Sequence, residues 1–128
     1  MKLRLKNNSA RLRLTQTETA RFAETGRVEE TIEFGLKARQ QFIYALEAAS
    51  EIEEIQATFE NNRITVLIPK RRADEWTRTA QVAMEAEQTI GGGKSLRLLI
   101  EKDFACLEAR AGEDDRDAFP HPSEGKAS

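Results

Sequence analysis

The chain has 128 residues, of which 39% are hydrophobic and 33% charged, and its 20 basic and 22 acidic residues give a net charge of −2. This composition fits one small soluble domain and argues against a disordered chain or the basic composition of a dedicated nucleic-acid binder. A single cysteine excludes an internal disulfide, and no apolar run approaches the ~20 residues of a membrane span. We therefore expect a cytoplasmic protein with no membrane partner.

Two strands with a tight turn begin the chain. Residues 2–6 and 10–14 alternate charged and apolar side chains, which is the pattern of half-buried strands. Asn7-Asn8-Ser9 tolerates the left-handed backbone that a tight hairpin needs. One face of this hairpin carries five cations, with no acid before Glu18: Lys2, Arg4, Lys6, Arg11 and Arg13.

A helix and a second pair of strands complete the first half. Thr15 and Glu18 predict a capping box, and Gly26 predicts a left-handed helix end. Phe22, with Ala20 and Ala23, gives the helix a small apolar stripe. Strands are predicted over 28–34 and 42–46, and residues 48–53 link the two halves.

The same order of elements recurs 54 positions later, where Asn61-Asn62 repeats Asn7-Asn8. Pro69 opens the second helix and Trp76 anchors it. The apolar positions match without a gap, and these matches include Leu14 with Ile68, Phe22 with Trp76 and Val28 with Val82. The alternative is that two unrelated hairpin–helix units have the same spacing by chance.

We therefore predict an α+β, mainly β fold built from a duplicated β-β-α-β-β unit, with repeats at about 2–47 and 55–101. The units would form a small pseudo-two-fold barrel or paired antiparallel sheets with two short helices. This single domain covers residues 1–110. An acidic, proline-containing tail follows at 111–128, and it is either mobile or laid on the surface by Phe119.

Segments spread along nearly the whole chain resemble a family of small uncharacterised bacterial proteins. They are Asn8-Ser9-Ala10-Arg11-Leu12-Arg13-Leu14-Thr15, Phe59-Glu60-Asn61-Asn62, Ile68-Pro69-Lys70, Glu101-Lys102-Asp103-Phe104-Ala105-Cys106-Leu107 and Asp117-Ala118-Phe119-Pro120. That family has no assigned activity, so the resemblance implies no catalytic or binding residue.

Each half is also similar to the swapped-hairpin barrel of AbrB/MazE-type DNA-binding domains. The similarity lies in the order of strand, asparagine turn, strand ending in Ile68-Pro69-Lys70, short helix and paired strands. It implies a single-chain pseudo-dimer that binds DNA. The first half departs from the pattern with Leu14-Thr15 in place of Ile-Pro, and the second hairpin lacks a basic outer face.

Two basic clusters are candidate anion or nucleic-acid contacts: the five hairpin cations, and Lys70, Arg71 and Arg72 at the start of the second helix. Like charges that face each other across strands are destabilising, so acids must screen the hairpin. Three sources of negative charge are the alternatives: the phosphates of a bound nucleic acid, Glu29 and Glu33 of the third strand, or the acidic tail. At the helix, either an anion binds the free N–H groups or Asp74 and Glu75 pair with the cations.

The remaining motifs indicate no catalytic, metal or cofactor site. Gly91-Gly92-Gly93-Lys94-Ser95 lacks the earlier glycine of a phosphate loop and precedes a strand, so it predicts a hairpin loop. Asp103, Cys106 and His121 offer too few ligands for a metal, and a proline-flanked histidine is poorly placed for a Cys–His pair. Cys106 is better explained as a small buried hydrophobe.

We therefore expect a non-enzymatic binding or interaction module, a monomer or homodimer, whose partner is an acidic protein or a nucleic acid. One alternative is a DNA-binding regulator or antitoxin-like protein of the AbrB/MazE type. Another is an enzyme of unrecognised type that works in the pocket between the halves.

Overall fold

The computed structural model describes residues 1–104. Its elements in chain order are β1 (Lys2–Lys6), β2 (Ser9–Leu14), α1 (Gln16–Thr25), β3 (Arg27–Glu33), β4 (Gln41–Ala49), β5 (Gln56–Glu60), β6 (Arg63–Pro69), α2 (Lys70–Arg78), β7 (Ala83–Gly91) and β8 (Lys94–Lys102). The chain is α+β and mainly β, as predicted. Neither helix of this part is long and apolar enough to cross a membrane. The predictions for the tail, Cys106 and His121 fall outside the described residues.

The strands form two four-stranded sheets, sheet A in the order β1-β2-β8-β7 and sheet B in the order β3-β4-β6-β5. In each sheet the outer pairs are antiparallel, and the central pair, β2 with β8 or β4 with β6, is parallel. Each sheet thus joins a hairpin of one half to a hairpin of the other. The described strands do not close into a barrel. The prediction of antiparallel sheets is wrong at the two central pairs. There the strands that join the two halves, β2 with β8 and β4 with β6, run in the same direction.

Asparagine pairs form two of the hairpin turns, as predicted. Asn7, Asn8, Asn61 and Asn62 all have left-handed backbones, with φ between 49° and 61°. Asn8 Nδ2 donates to the Ser95 carbonyl at 2.7 Å, and Asn62 Nδ2 donates to the Arg39 carbonyl at 3.1 Å, so each turn is tied to the neighbouring hairpin. All four hairpin turns lie at one end of the sheets, the turn end. The helices follow β2 and β6 at the opposite end, the helix end.

The two halves match less regularly than the sequence predicts. Val28 lies opposite Leu46, but the residue opposite Ile100 is Met84. Met84 therefore takes the place of Val28, and the predicted match with Val82 is wrong. Gly26 ends α1 in a left-handed conformation that turns directly into β3, whereas α2 ends on an extended Thr79 and a longer link precedes β7. Val82 lies in that link and is 48% exposed.

Phe22 and Trp76 close the core at the helix end. Their rings meet edge to face with centroids 6.2 Å apart, and both side chains are buried. The capping box of Thr15 and Glu18 is confirmed. Ala20 and Ala23, predicted to share the apolar stripe of α1, are exposed. Thr19 is buried beside Phe22 instead, because its hydroxyl donates to the Thr15 carbonyl at 2.8 Å and so needs no water.

Side-chain hydrogen bonds join the two sheets along their edges. On one side the Gln88 amide of β7 accepts from the Ala57 N–H of β5 at 2.7 Å and donates to the Ala57 carbonyl at 3.1 Å. On the other side the Met1 amino group contacts Glu18 and lies 2.9 Å from Glu30 of β3. The sheets are thus fixed against each other without a continuous strand ladder.

The outer face of sheet B carries an ion-pair network centred on Glu29. This carboxylate accepts from Arg63 at 2.7 Å and also contacts Arg27, which contacts Glu47. Hydrogen bonds from Arg63 and Arg27 hold the pKa of Glu29 below its usual value of 4.5. A lowered carboxyl pKa contributes stability that is present above the unfolded-state pKa and is lost as the pH falls through the folded-state pKa.

We therefore expect the free energy of unfolding to decrease as the pH falls below about 4.5, with Glu29 contributing about 0.5 kcal/mol or less because its carboxylate is partly exposed. Glu29→Gln should destabilise the protein at pH 7 and destabilise it less at pH 3, as measured by urea unfolding at both values. Glu33→Gln on the same strand is the control. An equal loss at both pH values would contradict the role of the ionised carboxylate.

Candidate anion-binding face

Six cations share the outer face of sheet A, because alternate residues of neighbouring strands point to the same side. Register places Arg4 opposite Arg11, Lys2 opposite Arg13 and Arg97 opposite Ser9. We call this set the basic face: Lys2, Arg4, Lys6, Arg11, Arg13 and Arg97. The structure thus brings together all five hairpin cations predicted from the sequence and adds Arg97, which sequence reasoning missed.

Glu101 of β8 neutralises part of the basic face. The Nε atoms of Arg11 and Arg13 each donate to Glu101 Oε1 at 2.7 Å, and the Glu101 side chain is only 14% exposed. Asp103 lies 3.5 Å from Lys2 Nζ. The prediction that Glu29 and Glu33 screen the hairpin is therefore wrong, because β2 lies beside β8 and β3 belongs to the other sheet. The tail alternative falls outside the described residues.

Nearer the turn end, the basic face keeps cations that Glu101 does not reach. Arg4, Lys6 and Arg97 make no ion pair within 4 Å with any residue of 1–104. Together with Arg11 they line a pocket of about 240 Å³, which we call the arginine pocket. Its other lining residues among 1–104 are Asn7, Ser9, Ala10 and Leu99, so no carboxylate of that part of the chain lines it. Guanidinium groups in such a pocket suit a phosphate or carboxylate oxygen.

The second predicted cluster lies away from the basic face. Lys70, Arg71 and Arg72 form the first turn of α2 at the helix end, following a strand of sheet B. Within the described part of the chain they form no ion pair, so the predicted pairing with Asp74 and Glu75 is absent there. The structure therefore does not join the two clusters into one site.

Arg97 and Glu101, which sequence reasoning missed, were predictable in their orientation but not in their position. Arg97 and Glu101 alternate with buried Leu98 and Ile100, so their outward orientation could be predicted. Their position beside the first hairpin could not, because it depends on the parallel pairing of β2 with β8.

A cavity of about 730 Å³ lies at the helix end between α1 and the end of β8. Three of its polar side chains are engaged: Thr19 donates to the Thr15 carbonyl, Thr77 to the Ala73 carbonyl at 2.9 Å, and Lys102 to the Thr79 carbonyl at 2.8 Å. Gln16 and Thr17 also line the cavity. Among residues 1–104 no three His, Cys, Asp or Glu side chains form a group that could hold a metal ion.

Comparison with known proteins places the chain in a family without transferring an activity. One family model matches residues 1–123, almost the whole length. No curated protein and no solved structure matches the chain. The AbrB/MazE similarity therefore stays a prediction, whereas the resemblance to an uncharacterised family agrees with the match. The chain belongs to the family of unknown function DUF7009.

Proposed function

We propose that this protein is a non-enzymatic binding module that holds the phosphate backbone of a nucleic acid on the basic face. The arginine pocket is the observation that carries the proposal, since four cations line it and three of them, Arg4, Lys6 and Arg97, make no ion pair in residues 1–104. Phosphate oxygens match the planar donor fork of arginine, and backbone contacts supply most non-specific affinity for nucleic acids.

The net charge of −2 does not oppose this function, because the cations are concentrated on β1 and β2, whose outer side chains include no acid. The exposed Glu85 and Glu87 lie on β7, the far edge strand of sheet A, where Glu87 is opposite Arg97. A polyanion responds to the local potential over the surface that it approaches. Approach from the β1 side is therefore the favourable one.

We further infer that the two halves are copies of one unit, in the manner of AbrB/MazE-type swapped hairpins. Matching register supports this: Ser9 pairs with Arg97 in sheet A, and the equivalent Arg63 pairs with Ile43 in sheet B. The outer face of the second hairpin has only Arg63 as a cation, beside Gln56, Thr58 and Glu60. Nucleic acid would thus bind one side of a pseudo-symmetric molecule, without preference for a palindromic sequence.

The test is binding of random duplex DNA, followed by fluorescence anisotropy at several salt concentrations. Arg4→Glu/Lys6→Glu should weaken binding at least about tenfold at ~50 mM salt. Loss of two phosphate contacts should reduce the slope of log affinity against log salt by about 2. Lys70→Glu/Arg71→Glu, with the same charge change at the helix end, is the matched control and should keep most of the affinity. No binding at ~50 mM salt, or equal loss in both variants, would exclude the basic face as the site.

A further inference from the structure

At the turn end the two sheets leave an open apolar groove of about 440 Å³, the turn-end groove. Large apolar side chains from both sheets line it, chiefly Leu5, Phe42, Phe59, Ile64, Ile90 and Leu96. Phe59 is 66% exposed, although its alternation in β5 predicts a core position. The helix end has Phe22 and Trp76 to cover the core, and the turn end has no described element in the equivalent place.

The exposed apolar side chains of the described part are concentrated at the turn end. Of the eight large hydrophobic residues exposed in residues 1–104, six lie at this end: Leu5, Ile32, Phe34, Leu36, Phe59 and Ile90. Three of them, Leu5, Phe59 and Ile90, line the groove. Single exposed apolar residues are ordinary, but a concentration of them marks a surface that binds something. The groove therefore needs an apolar occupant.

The rim of the groove is positively charged. Lys6, Lys37, Arg39 and Lys94 lie in or next to the hairpin turns, against Glu33 and Glu60. None of these six makes an ion pair within 4 Å in residues 1–104. An apolar side chain that follows a run of acids would complement both the groove and its rim.

Residues 105–128 of this chain contain one such segment. Their large apolar side chains are Leu107 and Phe119, and Phe119 directly follows Glu113-Asp114-Asp115-Arg116-Asp117-Ala118. β8 has nine residues, so Phe104 at its far end lies about 30 Å from the turn end at ~3.3 Å per residue. From Phe104, the chain can extend about 50 Å by Phe119 but only about 10 Å by Leu107. Phe119 has the reach and Leu107 does not.

We propose that Phe119 of this chain occupies the turn-end groove, with the acids before it against Lys37, Arg39 and Lys94 of the rim. Tethering raises the effective concentration of the segment to about millimolar, so a contact with a dissociation constant below about 1 mM fills the groove. The ring and the acids before it contribute to this contact together. The proposal rests on the groove, its rim and the sequence of the tail, and it does not depend on nucleic-acid binding.

Disulfide trapping in the full chain tests this placement. Leu5, an exposed residue that lines the groove, and Ala118 are replaced by cysteine in a Cys106→Ser background, which leaves Phe119 intact. A disulfide requires the two Cα atoms to come within about 7 Å. Under mild oxidation we expect this pair to cross-link within one molecule at least about tenfold faster than Ala80→Cys/Ala118→Cys. Ala80 is exposed at the helix end, closer to where the tail begins, so reach alone favours the control.

Adding Phe119→Ser to the groove pair should remove its advantage in rate. Equal rates for the two pairs would overturn the proposal, and so would cross-links that form only between molecules, since the occupant would then be the tail of a second copy. A measurement without cysteines supports the trapping: Phe119→Ser alone should raise the fluorescence of a dye that binds apolar surface, and adding Leu5→Ser should lower it again. No increase with Phe119→Ser would also count against the proposal.

Discussion

Trp76→Ala is expected to lower the free energy of unfolding by about 3–5 kcal/mol, the usual effect of removing a buried aromatic side chain. Trp76 is fully buried, and its ring meets Phe22 edge to face at 6.2 Å. Its Nε1 donates to the Val82 carbonyl at 3.1 Å, and Lys102 Nζ lies 5.6 Å from the ring centroid. A loss of this size is a large fraction of the whole stability of a small domain, about 5–15 kcal/mol. The variant should therefore unfold at a clearly lower urea concentration.

Urea unfolding followed by far-ultraviolet circular dichroism is the measurement, since Trp76 is the single tryptophan and its fluorescence is lost with it. Trp76→Phe keeps most of the ring volume and should cost clearly less. Phe34→Ala removes a ring that is 77% exposed and should change stability by less than about 0.5 kcal/mol. If Trp76→Ala proves no more costly than Phe34→Ala, the helix end does not close the core.

Local features of the fold were predictable because short-range sequence determines them. Alternating side chains gave the strands, the asparagine pairs gave the left-handed turns, and Thr15 with Glu18 gave the capping box. Trp76 was identified as the anchor of α2 because it is the one large apolar residue in that helix. Each of these predictions concerns residues that are close together in the sequence.

Long-range features were not predictable from the same patterns. Alternation fixes which side of a strand Arg11 faces, but it does not show that β8 supplies the neighbouring carboxylate Glu101. It also places Leu5 and Phe59 in the core, although they lie where no described helix covers the sheets. The pairing of β2 with β8 determines the first outcome, and it joins residues about 90 positions apart in the sequence, such as Ser9 with Arg97.

Glu101→Gln is expected to have two opposite effects, one on stability and one on anion binding. The carboxylate holds Arg11 and Arg13 at 2.7 Å in a largely buried position beside Arg4. Its neutralisation removes the carboxylate that Arg11 and Arg13 share, so the free energy of unfolding should fall by about 1.5–3 kcal/mol, the range for hydrogen bonds to charged groups. In the folded variant the basic face gains one net positive charge. Duplex DNA should then bind more tightly, with a salt slope steeper by about 1.

The two readouts separate a structural role of Glu101 from its control of the basic face. Glu85→Gln is the matched control, because Glu85 lies exposed on the same sheet opposite Leu99 and makes the same charge change without either arginine. It should alter stability by less than about 0.5 kcal/mol, as surface substitutions usually do. Lower stability with unchanged DNA affinity for Glu101→Gln would leave Glu101 a purely structural residue. Unchanged stability would contradict a stabilising role for the contacts of Glu101 with the two arginines.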